Sequence, residues 1–574
     1  MTNPLNDAAD ALDRGEPWRE VLEELLRELP AERAEEWMMR LNEGRASFAL
    51  TLAGGGGEAL LIGEALSGTA VGLEQLGFRV CTVSDEVLGL RIANGRAGGL
   101  GQAARLPAGV VAQADSLPFR NRAFDLVVHE GGPAAGWAAV LPELERVTRG
   151  ELVLIGDNPL AYKRALGRRG EFEHAQPVSL VARWLRPRAD EARLAGYRGM
   201  LRERGFEGLR SYALYPHARE FSHVVGLDGE GPELTIGRRE KQNKIKLWGK
   251  RLGLFAHFTP SFCVHGAKRS GRSRMERMLG ALAERTGLAP GRVEHLVATR
   301  SNTALVLTKG TDAMSVHVPL CPAKHVLTQV HHDFLKRVRA EFPGVPVPEP
   351  LFSGVLEGTW LQAERRLGGM TAPHLTGRAA ATDTLMGELA RMLALLVVRP
   401  AQALSLECYE RLLGDRCREV QARSGVASTA RALGRMLDEG RERLVGQRMP
   451  LMLYHADMRA KHAQTEASGK LIGVLDWGAS ESEFLPLADL GHFLLHQSKQ
   501  IQGGTVGEAW QRLRHRDALA AAEQDALNGY GSALGLERET EDALLDMLPL
   551  FVAGMAERNW DYSRPAWVQR QFGL

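Results

Sequence analysis

Two aspartates near the C-terminal end of the chain have a spacing that suits phosphoryl transfer. Asp457 follows the apolar run 451–454, and Asp476, nineteen residues after Asp457, follows the apolar run 471–475. In phosphoryl transfer, one carboxylate can accept the proton of the attacking hydroxyl, and another can hold the metal ion that neutralises the phosphates. A lone His-x-Asp sequence is also consistent with a loop that holds a structural acid, so the prediction depends on the two acids together.

The residues around both aspartates extend this pattern. Residues 454–462 read Tyr-His-Ala-Asp-Met-Arg-Ala-Lys-His, residues 475–478 read Leu-Asp-Trp-Gly, and Asp489 lies within Pro-Leu-Ala-Asp-Leu. Together they resemble the catalytic segment of the aminoglycoside and choline kinase-like phosphotransferases. That segment has His-Gly-Asp, four residues, Asn, then Ile-Asp-Trp, and later a helix that starts with Asp-Pro-x-x-Asp-Leu.

The resemblance implies a role for each residue that matches the family pattern. Asp457 takes the position of the general base, and Asp476 takes the position of a metal ligand. Ala456 replaces the family's Gly. His462 replaces its metal-binding Asn, which makes His462 a candidate second metal ligand.

Upstream of this segment, the runs 304–307 and 314–318 predict a β-hairpin. In the resembled family, the second hairpin strand ends in a Lys that contacts the nucleotide phosphates and pairs with a helix Glu. His317 takes the Lys position, and His331 takes the Glu position unless a shift of the helix brings Asp333 there. A neutral imidazole, with an ordinary pKa of about 6.5, thus replaces a permanent positive charge. The resemblance implies ATP with Mg²⁺ or Mn²⁺ as the cofactor, with His317 among the nucleotide-binding residues.

The N-terminal half begins with a strand, turn and helix pattern. The apolar run 58–63 leads into the turn 64–69, which is rich in small residues, and a second strand is predicted at 79–83. This order is typical of the first unit of a Rossmann-like sheet, where the turn lets the backbone approach a ligand. Because many such turns are Gly-rich for packing reasons, the pattern alone indicates a fold rather than a ligand.

A second motif in this half is more specific. Residues 110–119 end in Ala-Asp-Ser-Leu-Pro-Phe, and residues 123–128 read Ala-Phe-Asp-Leu-Val-Val. Both resemble the class I S-adenosylmethionine-dependent methyltransferases, in which the acid before Leu-Pro-Phe lies beside the adenine. The resemblance implies S-adenosylmethionine as the cofactor, although the family's Gly-x-Gly-x-Gly loop keeps only two glycines here. The residues that it places around this cofactor are Gly63, Glu64, Gly68, Asp85 and Asp115.

Composition limits the remaining possibilities. The 574 residues, of which 44% are hydrophobic and 25% charged, suffice for two or three domains with their own cores. A formal net charge of +2 gives no strong nucleic-acid signature. The five cysteines show no Cys-x-x-Cys spacing, and no apolar run suits a signal peptide or a transmembrane segment. The sequence therefore predicts a cytoplasmic protein in a reducing compartment.

The motifs divide the chain into five predicted segments. A helical lead-in (1–45) precedes a methyltransferase-like domain (46–267), a linker (268–287), a kinase-like N-lobe (288–366) and a kinase-like helical C-lobe (367–574). The predicted fold class is α/β plus α+β, with a Rossmann-like methyltransferase sheet followed by a bilobal, protein-kinase-like fold. We expect the two halves on either side of the linker to fold independently.

Three functional hypotheses are consistent with the sequence. The first is a bifunctional transferase that uses S-adenosylmethionine for methyl transfer and ATP for phosphoryl transfer to a hydroxyl of a small molecule or glycan, such as a surface polysaccharide or a secondary metabolite. The second is a regulatory or scaffolding protein made of a degenerate methyltransferase and a pseudokinase. The third, an antibiotic-modifying kinase, is disfavoured by the fused methyltransferase-like half. The substrate, the methyl-acceptor atom and the oligomeric state stay open.

Overall fold

The computed structural model divides the chain into two compact units. The first unit contains Met1–His325 and Leu351–Arg366, and the second contains Val326–Pro350 and Leu367–Leu574. The structure describes residues 3–30, 33–34, 37, 41, 43–97, 108–131, 136–161, 193–219, 221–228, 231–234, 255–299, 302–375, 377–424, 427–559 and 571–573.

The first unit is built on one large sheet, which has thirteen strands among the described residues. In sequence order the strands are β1 (Gly57–Ile62), β2 (Phe78–Ser84), β3 (Ala108–Val111), β4 (Phe124–Glu130), β5 (Thr148–Asp157), β6 (Gly208–Tyr215), β7 (His223–Gly226), β8 (Ser261–Ala267), β9 (Arg292–Ala298), β10 (Thr303–Lys309), β11 (Met314–Pro319), β12 (Pro350–Leu356) and β13 (Thr359–Arg365). Their order across the sheet is β12-β13-β11-β10-β9-β7-β6-β8-β5-β4-β1-β2-β3.

Helices accompany this sheet. They are α1 (Pro4–Asp13), α2 (Trp18–Glu28), α3 (Thr69–Gln75), α4 (Val87–Ala97), α5 (Trp137–Val147), α6 (Leu194–Glu203), α7 (Phe255–Phe258), α8 (Arg274–Thr286) and α9 (Pro322–Glu341), the last of which continues into the second unit. A 3-10 helix, Glu43–Thr51, precedes β1.

Half of the large sheet has the predicted Rossmann-like topology. β3, β2, β1, β4 and β5 are parallel neighbours, and β8 runs antiparallel between β5 and β6. The apolar runs 59–62 and 126–128 are buried at every position, as expected of parallel strands that are covered on both faces. The strand order reverses between β1 and β4, and the carboxyl ends of these two strands therefore form a crevice of the kind that binds ligands in such sheets.

The same sheet continues into the strands of the predicted kinase N-lobe. β7 pairs with β9 through His223 and Val297, and β10, β11, β13 and β12 follow. Leu61 and Val128 of the methyltransferase-like strands belong to the same buried cluster as Val306 of β10. The N-lobe strands therefore share a hydrophobic core with the methyltransferase-like strands.

The segment predicted as a linker, 268–287, is mostly the helix α8. Arg274 is fully buried, and its Nη1 donates to the backbone oxygen of Leu76 (2.5 Å) and to Oγ1 of Thr359 (2.8 Å). Leu282 of the same helix is buried in the shared core. A buried, hydrogen-bonded helix is not a flexible connection, so the structure does not support the expectation that the two halves fold independently. The predicted domain boundaries themselves stay predictions.

The second unit is largely helical, as predicted for the C-lobe. Its helices are α10 (Ala379–Ala394), α11 (Leu406–Tyr409), α12 (Asp415–Ser424), α13 (Ala427–Leu444), α14 (Ala488–Gln502), α15 (Val506–Arg514), α16 (Ala521–Leu534), α17 (Arg538–Asp546) and α18 (Leu548–Asn559). Two three-stranded sheets accompany them: β14 (Met370–Thr371) with β17 (Ala463–Thr465) and β18 (Leu471–Val474), and β15 (Val397–Ala403) with β16 (Arg448–Tyr454) and β19 (Glu481–Phe484).

The strands of these two small sheets position the acids that the sequence singled out. β16 leads into the loop with Asp457, and β18 leads into Asp476. Trp477, directly after Asp476, is fully buried in the helical core together with Phe484. The ends of both strands are therefore fixed by packing.

Across the part of the chain that the structure describes, every helix is too short or too polar to cross a lipid bilayer. The cytoplasmic location stays a prediction.

Candidate active site

The loop after β16 is held by a buried carboxylate at the start of α14. Oδ2 of Asp489 accepts a hydrogen bond from the backbone N–H of His455 (2.7 Å), and its Oδ1 accepts one from Ala456 (3.0 Å). Ala456 has a φ of 65°, a left-handed conformation that costs a residue with a Cβ about 1–2 kcal/mol. The resembled family has Gly at this position, which removes that cost. Burial raises the pKa of Asp489 to about 7, although both hydrogen bonds act to lower it.

The His455 imidazole joins this loop to the end of β18. Its Nε2 lies 2.9 Å from the backbone oxygen of Leu475, and its Nδ1 accepts a hydrogen bond from the backbone N–H of Asp457 (3.3 Å). Both contacts are satisfied by the neutral ring that carries its proton on Nε2. Burial, followed by the charge of His462, lowers the pKa of His455 to about 4. His455 therefore fixes the loop as a neutral group.

Asp457, His462 and Asp476 converge, as the sequence predicted for the base and its metal ligands. Nδ1 of His462 lies 2.7 Å from the backbone oxygen of Asp457, and Nε2 lies 3.1 Å from Oδ2 of Asp476. The second oxygen of the Asp457 carboxylate, Oδ2, is 3.8 Å from Nδ1 of His462. One ligand atom from each of the three residues lies within 4.8 Å of the others.

The two carboxylates of this cluster differ in their surroundings. Asp457 is buried, Arg459 forms an ion pair with its Oδ2, and its Oδ1 has no hydrogen-bond partner among the described residues. Asp476 exposes 58% of its side chain. Desolvation by the surrounding protein acts to raise the pKa of Asp476. The charge and hydrogen bond of His462 and the charge of Lys461 outweigh this desolvation, so the pKa lies well below its ordinary value. Asp476 is therefore a carboxylate at neutral pH.

These donors fit a divalent cation. Asp457 and Asp476 offer carboxylate oxygens, which Mg²⁺ and Mn²⁺ both accept, and His462 offers an imidazole nitrogen. Nδ1 of His462 faces the backbone oxygen of Asp457, and its Nε2, which faces Asp476, would give up its proton to a metal ion on binding. A hydrogen bond from the other ring nitrogen to a backbone oxygen is typical of metal-binding histidines.

His331 is hydrogen-bonded to the segment that follows Asp476. Its Nδ1 accepts a hydrogen bond from the backbone N–H of Trp477 (2.9 Å), and the Trp477 indole donates to the backbone oxygen of Val474 (3.0 Å). Both contacts lie within the second unit. His331 thus positions the segment that follows Asp476, a role that the sequence did not indicate.

His317, the predicted nucleotide-binding residue, lies on β11 in the first unit. Its Nε2 is 3.5 Å from Oε1 of Glu364 on β13, and 23% of its side chain is exposed. Its role in nucleotide binding stays a prediction.

The residues predicted around S-adenosylmethionine fall into two groups in the first unit. Gly63, Glu64 and Gly68 lie at or beside the crevice at the carboxyl ends of β1 and β4. Gly63 has a φ of 145°, and a Cβ on it would come within 2.8 Å of the backbone oxygen of Glu130, so this position requires glycine. Asp85 and Asp115 are exposed.

The crevice does not fit S-adenosylmethionine as it stands, because its acids already have a partner. Glu64 and Glu130 both pair with the buried guanidinium of Arg45. No motif in the sequence pointed to Arg45. Glu130 had a signal that was not used, since an acid that ends an apolar strand beside the reversal point of the sheet faces the crevice.

The buried histidines of the second unit should make it unstable in acid. Burial lowers the pKa of His455 to about 4 and that of His496 to about 3, and holds that of His492 well below its ordinary value. In the unfolded chain these groups take up protons near pH 6.5, so the unfolded state gains protons as the pH falls from about 6.5 towards 4. Each histidine should then lower the free energy of unfolding by about 1.4 kcal/mol per pH unit.

Urea unfolding at pH 7, 6 and 5 measures this loss. His496→Gln, which removes one of the three groups from a half-buried position, should reduce the slope of stability against pH by about one proton. The same slope in the variant and in the parent protein would show that His496 is not a buried neutral group.

Asp457 and Asp476 thus follow β16 and β18, one strand from each of the two small sheets of the largely helical second unit. Residues 296–547 match a family model described as "Phosphotransferase enzyme family". The chain thus carries a phosphotransferase-family domain after a Rossmann-like, methyltransferase-like sheet.

Solved structures are similar to each part. An aminoglycoside-3'-phosphotransferase of type VIII has 18% identity and a TM-score of 0.32, covering 48% of this chain and 99% of its own. An aminoglycoside phosphotransferase from Streptomyces rimosus has 16% identity and a TM-score of 0.29, covering 44% of this chain and 89% of its own. A SAM-dependent methyltransferase from Thermotoga maritima, a possible histamine N-methyltransferase, has 16% identity and a TM-score of 0.26, covering 42% and 96%. No curated protein matches the chain.

Proposed function

We propose that the second unit transfers the γ-phosphoryl group of ATP to a hydroxyl of a small molecule or glycan. The observation that carries this proposal is the convergence of Asp457, His462 and Asp476 at the ends of β16 and β18. The reaction needs one carboxylate near the acceptor and others that hold a metal ion. This cluster supplies both.

In this proposal Asp457 acts as the general base. Its free Oδ1 takes the proton of the acceptor hydroxyl as the hydroxyl oxygen bonds to the γ-phosphorus, while the bond from that phosphorus to the bridging oxygen breaks and ADP leaves. Arg459 holds the other oxygen, Oδ2, and so fixes the direction of Oδ1. Arg459 is thus a positioning residue that the sequence pattern left without a role.

Asp476 and His462, with Asp457 beside them, would hold Mg²⁺ or Mn²⁺. Such an ion, when bound, neutralises charge on the phosphates. His455 and His331 support this site through the backbone, because each anchors one of the two segments that carry its ligands. The ligand positions are therefore set before a metal arrives.

Both signs of charge lie near Asp457. Burial lowers the pKa of His496 to about 3; the charges of Arg459, Lys499 and Lys461 act in the same direction, and that of Asp457 acts to raise this pKa. Because Arg459 is itself paired with Asp457, this charge does not select between an anionic and a cationic acceptor. The antibiotic-modifying kinase therefore stays an alternative.

For the first unit, we infer a nucleoside-binding crevice that descends from a methyltransferase. The support is the reversal of strand order between β1 and β4 and the close backbone approach at Gly63. Because Arg45 occupies the acids of this crevice, we derive no methyl-transfer step. A regulatory role for this unit stays the second candidate, and the Arg45 contacts are the observation that favours it.

The identity of residue 462 should determine the preferred metal. An imidazole nitrogen is a softer ligand than an amide oxygen, and it suits Mn²⁺ better than Mg²⁺. We expect ATP binding and turnover to favour Mn²⁺, and His462→Asn to shift the preference towards Mg²⁺ by about tenfold or more, as expected for a metal ligand. Titration of ATP in each metal, followed by calorimetry, measures the ratio.

His496→Asn is the matched control, since it makes the same change outside the ligand set. It should leave the ratio of Mn²⁺ to Mg²⁺ affinity unchanged. If His462→Asn also leaves this ratio unchanged while the protein binds ATP, His462 is not a ligand and the proposed metal site is wrong.

A further inference from the structure

The crevice between β1 and β4 contains two buried acids from different strands. Glu64 follows β1 in the turn, and Glu130 is the last residue of β4. The side chain of Glu64 is 10% exposed and that of Glu130 only 2%. Because carboxylates are costly to bury without a partner, this pair forms a receptor for a cation.

The cation that fills this receptor is part of the chain itself. Nη2 of Arg45 lies 3.0 Å from Oε2 of Glu130, and Nη1 lies 3.3 Å from Oε2 of Glu64. The other oxygen of Glu130, Oε1, accepts a hydrogen bond from Thr69 Oγ1 (2.6 Å). The Arg45 side chain is only 3% exposed. Guanidinium, carboxylates and hydroxyl thus form a closed network at the reversal point of the sheet.

Arg45 is presented by a segment that cannot easily withdraw. It belongs to the 3-10 helix Glu43–Thr51, whose Phe48 and Leu50 are fully buried in the large core of the first unit. Beside the network, Leu41 and Ser67 line a cavity of about 20 Å³, room for about one water. Because packing fixes the backbone that carries it, the guanidinium would have to leave the acids by rotation of its own side chain, and the cavity alone is too small to hold it.

The proposed ligands carry a positive charge that could pair with the same two glutamates as Arg45. S-adenosylmethionine carries an α-ammonium and a sulfonium, and S-adenosylhomocysteine keeps the α-ammonium. Both present a cation beside an adenosine. A crevice with two buried glutamates offers that cation the same partners that Arg45 already holds.

We propose that Arg45 is an intramolecular competitor for the cation subsite of this crevice, so that a cationic amino-acid group binds only after the guanidinium leaves Glu64 and Glu130. The inference rests on the proposed nucleoside ligand of the first unit. An adenosine compound without a cation does not need this subsite and is not in competition with Arg45. Selectivity between the two kinds of ligand is therefore set by Arg45.

The loss of affinity for a cationic ligand depends on the fraction of molecules in which Arg45 has left both acids. If the guanidinium occupies the acids about 90–99% of the time, the apparent affinity for a cationic ligand is reduced about 10- to 100-fold. The affinity for a ligand that lacks the cation is unaffected. Removal of the guanidinium should therefore raise the affinity for a cationic ligand by this factor and leave the affinity for a ligand without the cation unchanged.

Calorimetry on the full chain tests the proposal with two probes. S-adenosylhomocysteine carries the α-ammonium together with an α-carboxylate, and 5'-methylthioadenosine has the same adenosine and thioether without either group. Arg45→Met should raise the affinity for S-adenosylhomocysteine about tenfold or more and leave that for methylthioadenosine unchanged. The ratio of the two affinities within each protein is the decisive quantity, because a partly unfolded sample lowers both equally.

Arg45→Lys covers the case in which the methionine variant does not melt cooperatively. It keeps a positive charge but lacks the fork that reaches both acids, so its ratio should fall between those of the parent and of Arg45→Met. If a folded variant still binds methylthioadenosine but has the same ratio of the two affinities as the parent protein, the proposal about Arg45 is wrong, and the proposed nucleoside-binding crevice is not affected. If neither probe binds any of the proteins at millimolar concentration, the nucleoside ligand is wrong and the proposal falls with it.

Discussion

Asp457→Asn should leave ATP binding intact and reduce phosphoryl transfer about 10²- to 10⁴-fold, the usual contribution of a general base. The asparagine keeps the shape of the side chain, but its amide cannot take the proton of the acceptor hydroxyl. The buried position of Asp457, with Oδ2 held by Arg459 and Oδ1 free, is the reason to expect a loss in turnover rather than in binding. Single-turnover phosphate transfer and ATP calorimetry on the same sample separate the two effects.

Asp476→Ala is the complementary change. Asp476 is mostly exposed and ionised, and it faces Nε2 of His462. Its loss should remove metal-dependent ATP binding, so that turnover disappears because no complex forms. If both variants lose binding equally, the division into a base and a metal ligand is wrong; if neither loses activity, the second unit is not a phosphotransferase.

The proximity of the three groups of this site follows from local sequence. Asp457 and His462 are five residues apart in one loop, and the apolar run before Asp476 indicates the strand that ends at it. The structure places one ligand atom of each residue within 4.8 Å of the others. Their roles as general base and metal ligands stay predictions.

Contacts between distant segments could not be predicted in this way. His331 reaches the backbone of Trp477 across 146 residues, and Arg45 reaches Glu130 across 85. Neither residue lies in a motif, and neither side chain has a local signal that distinguishes it from a solvated one. Long-range pairing of this kind depends on how the sheet orders its strands, which sequence periodicity does not reveal.

For the fold, too, local features could be predicted from the sequence, and pairings between distant segments could not. The strands predicted at 58–63 and 79–83 were readable as apolar runs, and residues 59–62 of β1 are buried at every position, as expected of a parallel strand covered on both faces. The pairing of β7 with β9, which joins this half to the N-lobe strands, was not readable because β7 is only the four residues His223–Gly226. The basic, Gly-containing composition of 268–273 predicts a linker, whereas the burial of α8 depends on contacts with distant segments, which local composition does not reveal.

A chain cut at residue 270 should consequently fail to fold cooperatively, contrary to the expectation from the sequence. The cut removes α8 and the N-lobe strands from a core that they share with β1, β4 and β5. The buried side chains lost from this core include Met278, Leu279, Leu282, Leu296 and Val306. At about 1.5–3 kcal/mol each, their loss removes roughly 8 kcal/mol or more, comparable with the whole stability of a typical domain, about 5–15 kcal/mol.

Residues 1–366 are the matched comparison, because this chain ends after β13 and keeps every strand of the large sheet. Thermal unfolding followed by circular dichroism should show a cooperative transition for residues 1–366 and for the full chain, and none for residues 1–270. A cooperative transition in residues 1–270 at a similar temperature would mean that the methyltransferase-like strands have a sufficient core of their own. In that case the continuous sheet joins two independent domains, and Arg274, although buried, does not contribute to a common one.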